Sequence, residues 1–412
     1  MKILVVSQYF WPEQFRINDL VLTLKERGHQ VRVMTGVPNY PTGRLFEGYS
    51  WWKKRRDSLE GIRIYRLPLF LRRRGKGWQL AFNYLSFVFF GCLLGPWLLR
   101  KHEFDLIFVY EPSPFTVGIP AILMRRLKKA PLLFWVQDLW PESLEAAGAV
   151  KSPWVLRMVG AVVKWIYHRI DLVLVQSRAF IEPAGAAGAS ARRIEYFPNW
   201  AESFYRPRPD EALPEGLEIP AGFRVMFAGN LGEAQALGTI IAAAARLRDE
   251  AAIHWLIVGD GRRKEWMQRE ARRAGVGEQL HFLGGFPAER MPALFAASHA
   301  LLVTLKKDQV FDRTIPSKVQ TYMACARPLV AALNGEGARV IAESRGGLAV
   351  GAEDDKGLAA AVLELYRMGA GEREGMGIRA RNYYNAEFEK DLLIERLEGW
   401  MEKAVEEGRC ES

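Results

Sequence analysis

Short apolar runs of strand type alternate with helical patterns along the whole chain, in two blocks separated by a proline-rich stretch at residues 200–222. In the first block the runs are Lys2 to Val6, Gln30 to Thr35, Ile62 to Leu67, Leu106 to Tyr110, Leu132 to Val136, Leu172 to Gln176 and Ile194 to Phe197. Helical spacing intervenes at Phe15 to Arg27, Val117 to Leu127 and Trp154 to His168. In the second block the runs are Phe223 to Ala228, Ile253 to Val258, His281 to Leu283, Leu301 to Leu305, Leu329 to Leu333 and Leu348 to Val350, again with helical stretches between them. Near-continuous apolar strands joined by helices predict parallel sheets covered on both faces. The expected class is α/β, with two Rossmann-like doubly wound domains. A chain of 412 residues is too long for one growing core and suits two. The expected division is 1–200 and 201–384, with 385–412 a C-terminal helix crossing back to the first domain.

Charge separates the two blocks. Residues 1–200 carry 29 Lys and Arg against 15 Asp and Glu, whereas the rest of the chain is slightly acidic. Nucleic acid would suit a basic half, but the positive runs alternate with long apolar stretches and match no recognition module, so no nucleic-acid partner is expected. The clusters Lys53 to Arg56 and Arg72, Arg73, Arg74 and Lys76 both precede a stretch, residues 78–99, that has no charge at all. Twenty-two uncharged residues are long enough to span a bilayer. Gln79, Asn83, Ser86 and the glycine and proline interruptions suit instead a helix packed on a sheet or lying in an anionic membrane interface. Cys92, Cys325 and Cys410 form no CxxC pair or zinc spacing, and MKILVVSQYF runs straight into a strand, so a reduced, cytoplasmic setting at the inner face of the plasma membrane is expected.

Candidate chemistry lies in loops at the ends of strands. In the second block these are GNLG (229–232), GDGRRK (259–264), IPSK (315–318) and NGEG (334–337), and strands of one parallel sheet would open all four on the same edge. A glycine turn before a helix offers backbone N–H groups and a positive dipole end to phosphate. There is no G-x-G-x-x-G fingerprint. Lys318 sits at a helix start, where a cation opposes the dipole unless an anion is bound, and Arg263 and Lys264 could add charge. The expected ligand groups are Gly229, Asn230, Gly232, Gln235, Gly259, Arg263, Lys264, Ser317, Lys318, Thr321 and Glu336. In the first block, Glu13, Gln14 and Arg16 follow the first strand, and Gln137, Asp138 and Glu142 follow another. Acceptor contacts and simple loop packing by Tyr9, Phe10 and Trp11 are both open readings for the first of these loops.

The ordered set QYFWPEQFRINDL, QDLWPES, FAGNLGEAQAL, the GDG turn, PSKVQTYMACARPLVA and GEGARVI resembles the GT-B-fold retaining glycosyltransferases of family 4, in the bacterial polysaccharide branch of colanic-acid and O-antigen enzymes, L-fucosaminyltransferase-like. The resemblance covers nearly the whole chain. It implies a GT-B fold whose two domains face each other across a cleft. It also implies transfer of an N-acetylated sugar from a UDP-sugar donor to a polyprenyl-diphosphate-linked saccharide acceptor, with retention and with neither metal nor other cofactor. Lys318 and Asp138 are then the expected catalytic residues. The family's usual arginine and lysine after the glycine turn are matched by Asn230 and Gln235, and its pair of glutamates would fall at Arg313 and Thr321, neither of them acidic. Alternatives within this reading are a nucleotide-sugar epimerase and a nucleotide-binding regulator without activity.

Overall fold

The structure, a computed structural model, describes residues 1–51, 54–73, 77–146, 150, 152–208, 213–214 and 216–410. The chain forms two compact units: Met1–Pro198 with Ile394–Ser412, and Asn199–Leu393.

Unit 1 contains β1 (Lys2–Val6), α1 (Arg16–Glu26), β2 (Gln30–Gly36), β3 (Arg56–Leu59), β4 (Ile62–Leu67), α2 (Gly77–Leu98), β5 (Leu106–Glu111), α3 (Gly118–Lys128), β6 (Leu132–Val136), α4 (Glu142–Ala146), α5 (Pro153–Tyr167), β7 (Leu172–Val175), α6 (Ile181–Ala186) and β8 (Ile194–Tyr196). The sheet order is β3-β4-β2-β1-β5-β6-β7-β8. All neighbours are parallel except β3 and β4. Strands β5 and β6 are buried along their entire length, as expected of strands covered on both faces. The antiparallel edge strand β3 lies inside a segment, 36–60, whose polar RDSL sequence predicts only irregular chain. It is held by tertiary contacts: Asp57 forms a 2.9 Å ion pair with the fully buried Arg66 of β4.

Unit 2 contains β9 (Phe223–Ala228), α7 (Leu237–Arg246), β10 (Ile253–Val258), α8 (Lys264–Arg273), β11 (Leu280–Gly284), α9 (Met291–Ala296), β12 (Ala300–Thr304), α10 (Gln309–Asp312), α11 (Ser317–Ala324), β13 (Leu329–Ala332), α12 (Gly335–Ser344), β14 (Gly347–Val350), α13 (Asp355–Arg367) and α14 (Ala370–Glu387). Its sheet runs β11-β10-β9-β12-β13-β14, parallel throughout. Helix α13 has no counterpart in the strand–helix reading of the sequence. Its core stripe, Leu358, Ala359, Ala361, Val362 and Leu365, is largely alanine, and Asp354 caps it by accepting the Gly357 N–H at 2.8 Å. The expected helical tail is two helices, α14 and α15 (Lys390–Cys410). The part of α15 from Ile394 on belongs to unit 1, where Glu398 meets Arg27 at 2.9 Å and His29 at 2.8 Å.

Helix α2 is built inside out. Gln79, Asn83, Phe87, Gly91 and Gly95, one stripe at four-residue spacing, face the unit. A Cβ on Gly91 would lie 2.8 Å from Pro120 of α3, and one on Gly95 would lie 3.0 Å from Met34 of β2, so the inner face is small and close-packed. The outer face carries Trp78, Phe82, Leu85, Phe89, Leu93 and Trp97, each 55–60% exposed. By length and composition the helix could cross a membrane.

Candidate functional site

Strands β10, β9, β12 and β13 are consecutive in the unit 2 sheet, and the GNLG, GDG, IPSK and NGEG loops all lie beyond their carboxyl ends. The first two loops touch. The N–H of Gly229 donates to the Val258 carbonyl at 2.9 Å and that of Leu231 to the Asp260 carbonyl at 2.8 Å. A Cβ on Gly259 would lie 2.0 Å from the Gly229 oxygen, and both residues have positive φ, +129° and +142°. Only glycine fits this approach. Helix α7 starts only at Leu237: Glu233–Gln235 form a single 3₁₀ turn, and Ala236 is left-handed at φ 44°.

Lys318 is the second residue of α11, with Pro316 as N-cap and Ser317 exposed before it. Its ammonium donates to Gln235 Oε1 at 2.5 Å and lies 3.7 Å from the centre of the Phe227 ring. Burial pulls its pKa down to about 7. The backbone under it is fixed by the buried Tyr322 hydroxyl, which accepts the Ala228 N–H at 3.1 Å. Structure thus brings Gly229, Gln235 and Lys318 into direct contact, a Cβ on Gly229 meeting Lys318 Cε at 2.7 Å. Asn230 and Gly232 share that turn, with Asn230 also facing Gly261 of the GDG loop.

The other expected cations already have acidic neighbours. Arg263 pairs with Glu233 at 3.2 Å while its guanidinium stacks 3.8 Å from the Trp266 ring centre, and Lys264 lies 3.8 Å from Asp260. Lys306, which the sequence does not single out, reaches Glu233 from the end of β12 at 2.5 Å, and this bond with the Arg263 charge lowers the Glu233 pKa. Glu336, in the first turn of α12, is buried and held bidentately by Arg339 at 2.8 and 2.9 Å. Thr321 stands one turn after Lys318 on α11 and is half-buried. Asp312 is an acid that sequence reasoning passed over: it adjoins Arg313, hydrogen-bonds with Asn334, and burial raises its pKa. Its carbonyl lies where a Cβ on Gly335 would fall. Proximity of α10 to the NGEG loop is a tertiary fact with no local signal.

In unit 1 the loops after β1, β5 and β6 are likewise neighbours in the sheet. Glu13 is buried and its Oε1 accepts the N–H groups of Asn39 and Tyr40, both at 2.7 Å. Its Oε2 accepts from Phe10 at 3.2 Å, and burial pushes its pKa up to about 7. Glu13 therefore clamps two loops together, and Tyr9 and Phe10 are buried with it, while Gln14 is exposed. Asp138 accepts a short hydrogen bond from Ser143, and burial raises its pKa. Beside it is Glu111, the last residue of β5, which the sequence reading leaves without a role. Burial, reinforced by the Asp138 charge, raises the Glu111 pKa well above the carboxylate range, and its Oε1 has no hydrogen-bond partner. Tyr84, from the inner side of α2, hydrogen-bonds with Ser113 next to these acids. Among the described residues no three His, Cys, Asp or Glu side chains are grouped to hold a metal ion.

Of the basic cluster before α2, Arg72 turns inward: its guanidinium lies 5.0 Å from the Tyr40 ring centre and 3.4 Å from the Tyr9 hydroxyl. Arg73 is exposed, and Arg74, Lys76 and Lys53 lie outside the described residues.

Comparison with known proteins agrees with this architecture. Residues 14–200 match the model of the glycosyl transferase 4-like domain, and residues 222–368 match that of glycosyl transferases group 1. The chain is 29% identical over 340 residues to the Escherichia coli protein WcaI, named as a colanic acid biosynthesis glycosyl transferase, covering 79% of this chain and 81% of that protein. It is 26% identical over 309 residues to the 2-deoxystreptamine glucosyltransferase of Streptomyces kanamyceticus, covering 70% and 74%. The fold is similar to that of Anabaena HepE, solved in complex with UDP and glucose, with a TM-score of 0.68 at 17% identity over 98% of this chain and 99% of that one. Two matched domains, two parallel Rossmann-like sheets and these relatives place the chain among the GT-B-fold, family 4-like glycosyltransferases, related to enzymes of bacterial polysaccharide synthesis.

Proposed function

We propose that this glycosyltransferase moves an N-acetylated sugar from UDP to a polyprenyl-diphosphate-linked saccharide, with retention at the anomeric carbon, at the cytoplasmic face of the membrane. The observation that carries the donor half is the junction of Gly229, Gln235 and Lys318 at one sheet edge, where an ammonium lies at a helix start beside a glycine turn. HepE, of the same fold, was solved with UDP. WcaI, named for colanic acid synthesis, supports a cell-surface saccharide product.

In the reaction the bond between the anomeric carbon and the diphosphate oxygen breaks, and the acceptor hydroxyl oxygen bonds to the same face of that carbon. The hydroxyl proton passes to the departing phosphate. Negative charge grows on the diphosphate, and Lys318 with the backbone of the GNLG turn around Asn230 and Gly232 stabilises it where it forms. Arg263 and Lys264 at the neighbouring turn, Asn230, Gly232, Gly259 and Ser317 around it, and Thr321 and Glu336 toward the nucleoside and sugar complete the donor contacts. Asp138 orients the acceptor hydroxyl in unit 1.

The exposed aromatic stripe of α2 supports the lipid-linked acceptor. A second stripe, Trp154, Met158 and Trp165 on α5, is exposed in the same unit. Arg100 lies 4.7 Å from the Trp97 ring centre and Arg169 4.4 Å from that of Trp165, the pairing of ring and cation found where a protein meets headgroups.

Calorimetry with UDP and the other nucleoside diphosphates tests the donor, with UDP expected to bind and the others to bind more weakly. Tight binding of another nucleotide with none of UDP overturns it. A panel of nucleotide sugars with lipid-linked acceptors then identifies the sugar, and isomerisation of the donor without acceptor would replace transfer by epimerisation.

A further inference from the structure

At the other edge of the unit 2 sheet is a cavity of about 540 Å³. His299, just before β12, and Pro328, just before β13, line it, so it opens at the amino ends of strands whose carboxyl ends carry the donor loops. Helix α11 separates the two places: Lys318 lies at its start and Cys325, in the cavity wall, just past its end. Eight residues of α-helix make that separation about 12 Å.

Four arginines converge on the cavity: Arg208, Arg327, Arg373 and Arg381. Each of the last three spends part of its guanidinium on the carboxyl end of a helix. Arg327 donates to the Ala296 carbonyl at 2.5 Å, Arg381 to that of Ala324 at 2.5 Å, and Arg373 to that of Leu365 at 3.0 Å. These carbonyls close α9, α11 and α13, and a helix end carries only about half a negative charge. Among the described residues Arg327, Arg373 and Arg381 form no ion pair, and Glu374, exposed at the rim, is the single acid in the lining. His299 brings no charge of its own: burial and the charges of Arg224, Arg373 and Arg327 hold its pKa down to about 4, and its Nδ1 accepts the Arg224 N–H at 3.1 Å. Net positive charge in a half-buried concavity, presented on planar forks, suits phosphate oxygens.

We propose that this arginine-lined cavity binds a small phosphorylated anion, at a site distinct from the donor loops. Such a ligand would accept from the guanidinium N–H groups that the helix ends leave unused, and would link α9, α11, α13 and α14 through their arginines. The proposal does not rest on the identity of the donor.

Inorganic pyrophosphate is the probe. Its binding to the full-length chain is measured by calorimetry for the unmodified protein, for Arg327→Gln with Arg381→Gln, and for Lys318→Ala. The cavity predicts that the double variant loses affinity by about tenfold per arginine, the equivalent of one charge-assisted hydrogen bond each, while Lys318→Ala retains a binding event of unmodified affinity. Because both arginines also cap helices, Arg327→Lys with Arg381→Lys serves if the glutamine variant does not fold. It keeps the charge and loses the fork, and is expected to weaken binding while the thermal transition stays cooperative. The proposal is overturned if pyrophosphate does not bind, if its only binding event disappears in Lys318→Ala, or if the folded arginine variants bind with unchanged affinity. A titration with glucose 6-phosphate and with vesicles of phosphatidic acid then distinguishes a soluble phosphate ester from a lipid headgroup as the source.

Discussion

An ammonium held between one amide oxygen and the face of a phenyl ring is poorly solvated, and Lys318 shows the consequence in a pKa lowered to about 7 by burial. The unfolded chain holds that proton up to about pH 10.4, so between the two values the unfolded state binds more protons and stability rises with pH. Lys318→Met should therefore stabilise the unliganded protein more at pH 6 than at pH 9, as read from denaturation midpoints. A diphosphate reverses the balance by favouring the charged form. At pH 8 its binding should take up a proton, visible as a dependence of the calorimetric heat on the ionisation enthalpy of the buffer, and Lys318→Ala should abolish that dependence. The same variant should lower kcat/KM by about 1.5–3 kcal/mol equivalent, one charge-assisted contact, while remaining folded. Unchanged kcat/KM would remove Lys318 from the donor site. Lys318 was legible in the sequence because a cation at a helix start is locally unfavourable. Its partners were less so: Gln235 was readable as a ligand group after the glycine turn, but Phe227, Lys306 and Asp312 reach this edge only through the packing of separate strands and helices.

At the scale of the element, α2 shows why a run without charges is ambiguous as sequence. Its composition fits a core helix, a membrane span and an interfacial helix alike, and the deciding fact is which stripe faces the protein. That stripe is the polar and small one. The buried Asn83 accepts from the buried Gln8 Nε2 at 2.7 Å and donates to the carbonyl of the partly exposed Phe70 at 2.6 Å. Replacing it by Leu preserves volume but takes the short acceptor from the buried Gln8 amide, with an expected cost of about 1–3 kcal/mol. Urea denaturation should show it as a lowered midpoint at constant slope. A cost near zero would mean that the inner face of α2 is wetter than its burial indicates. Apart from β3, the strands of both sheets were legible within a residue or two, because runs such as LLFWV are apolar on both faces. What was not legible shares one cause: β3 is a polar strand fixed by the Asp57–Arg66 pair, and α13 is an alanine stripe whose partners are far away in sequence.

For the whole molecule, the relevant quantity is the division of character between the two units. The basic surplus falls in residues 1–200, and the exposed aromatic stripes of α2 and α5 belong to the same unit. A soluble donor does not call for such a division; an acceptor embedded in a leaflet does. The structure also redistributes the weight between charge and apolar surface, since Arg72 is spent on Tyr9 and Tyr40 and is not a free surface charge. Exposed rings therefore carry more of the expected attachment than the arginine run suggested, with each basic residue that does reach an anionic leaflet adding about 1 kcal/mol. Attraction between charges is screened by salt, and burial of aromatic surface is not. In flotation with vesicles containing anionic lipid, the intact protein should float at low salt and be released only in part at high salt. Phe82→Ser with Phe89→Ser and Trp97→Ser should reduce flotation at both salt concentrations, because all three side chains lie on the outer stripe and none supports the packed inner one. If this variant floats as well as the intact protein, the stripe is not what meets the membrane, and failure of the intact protein to float at low salt would remove the membrane from its function altogether.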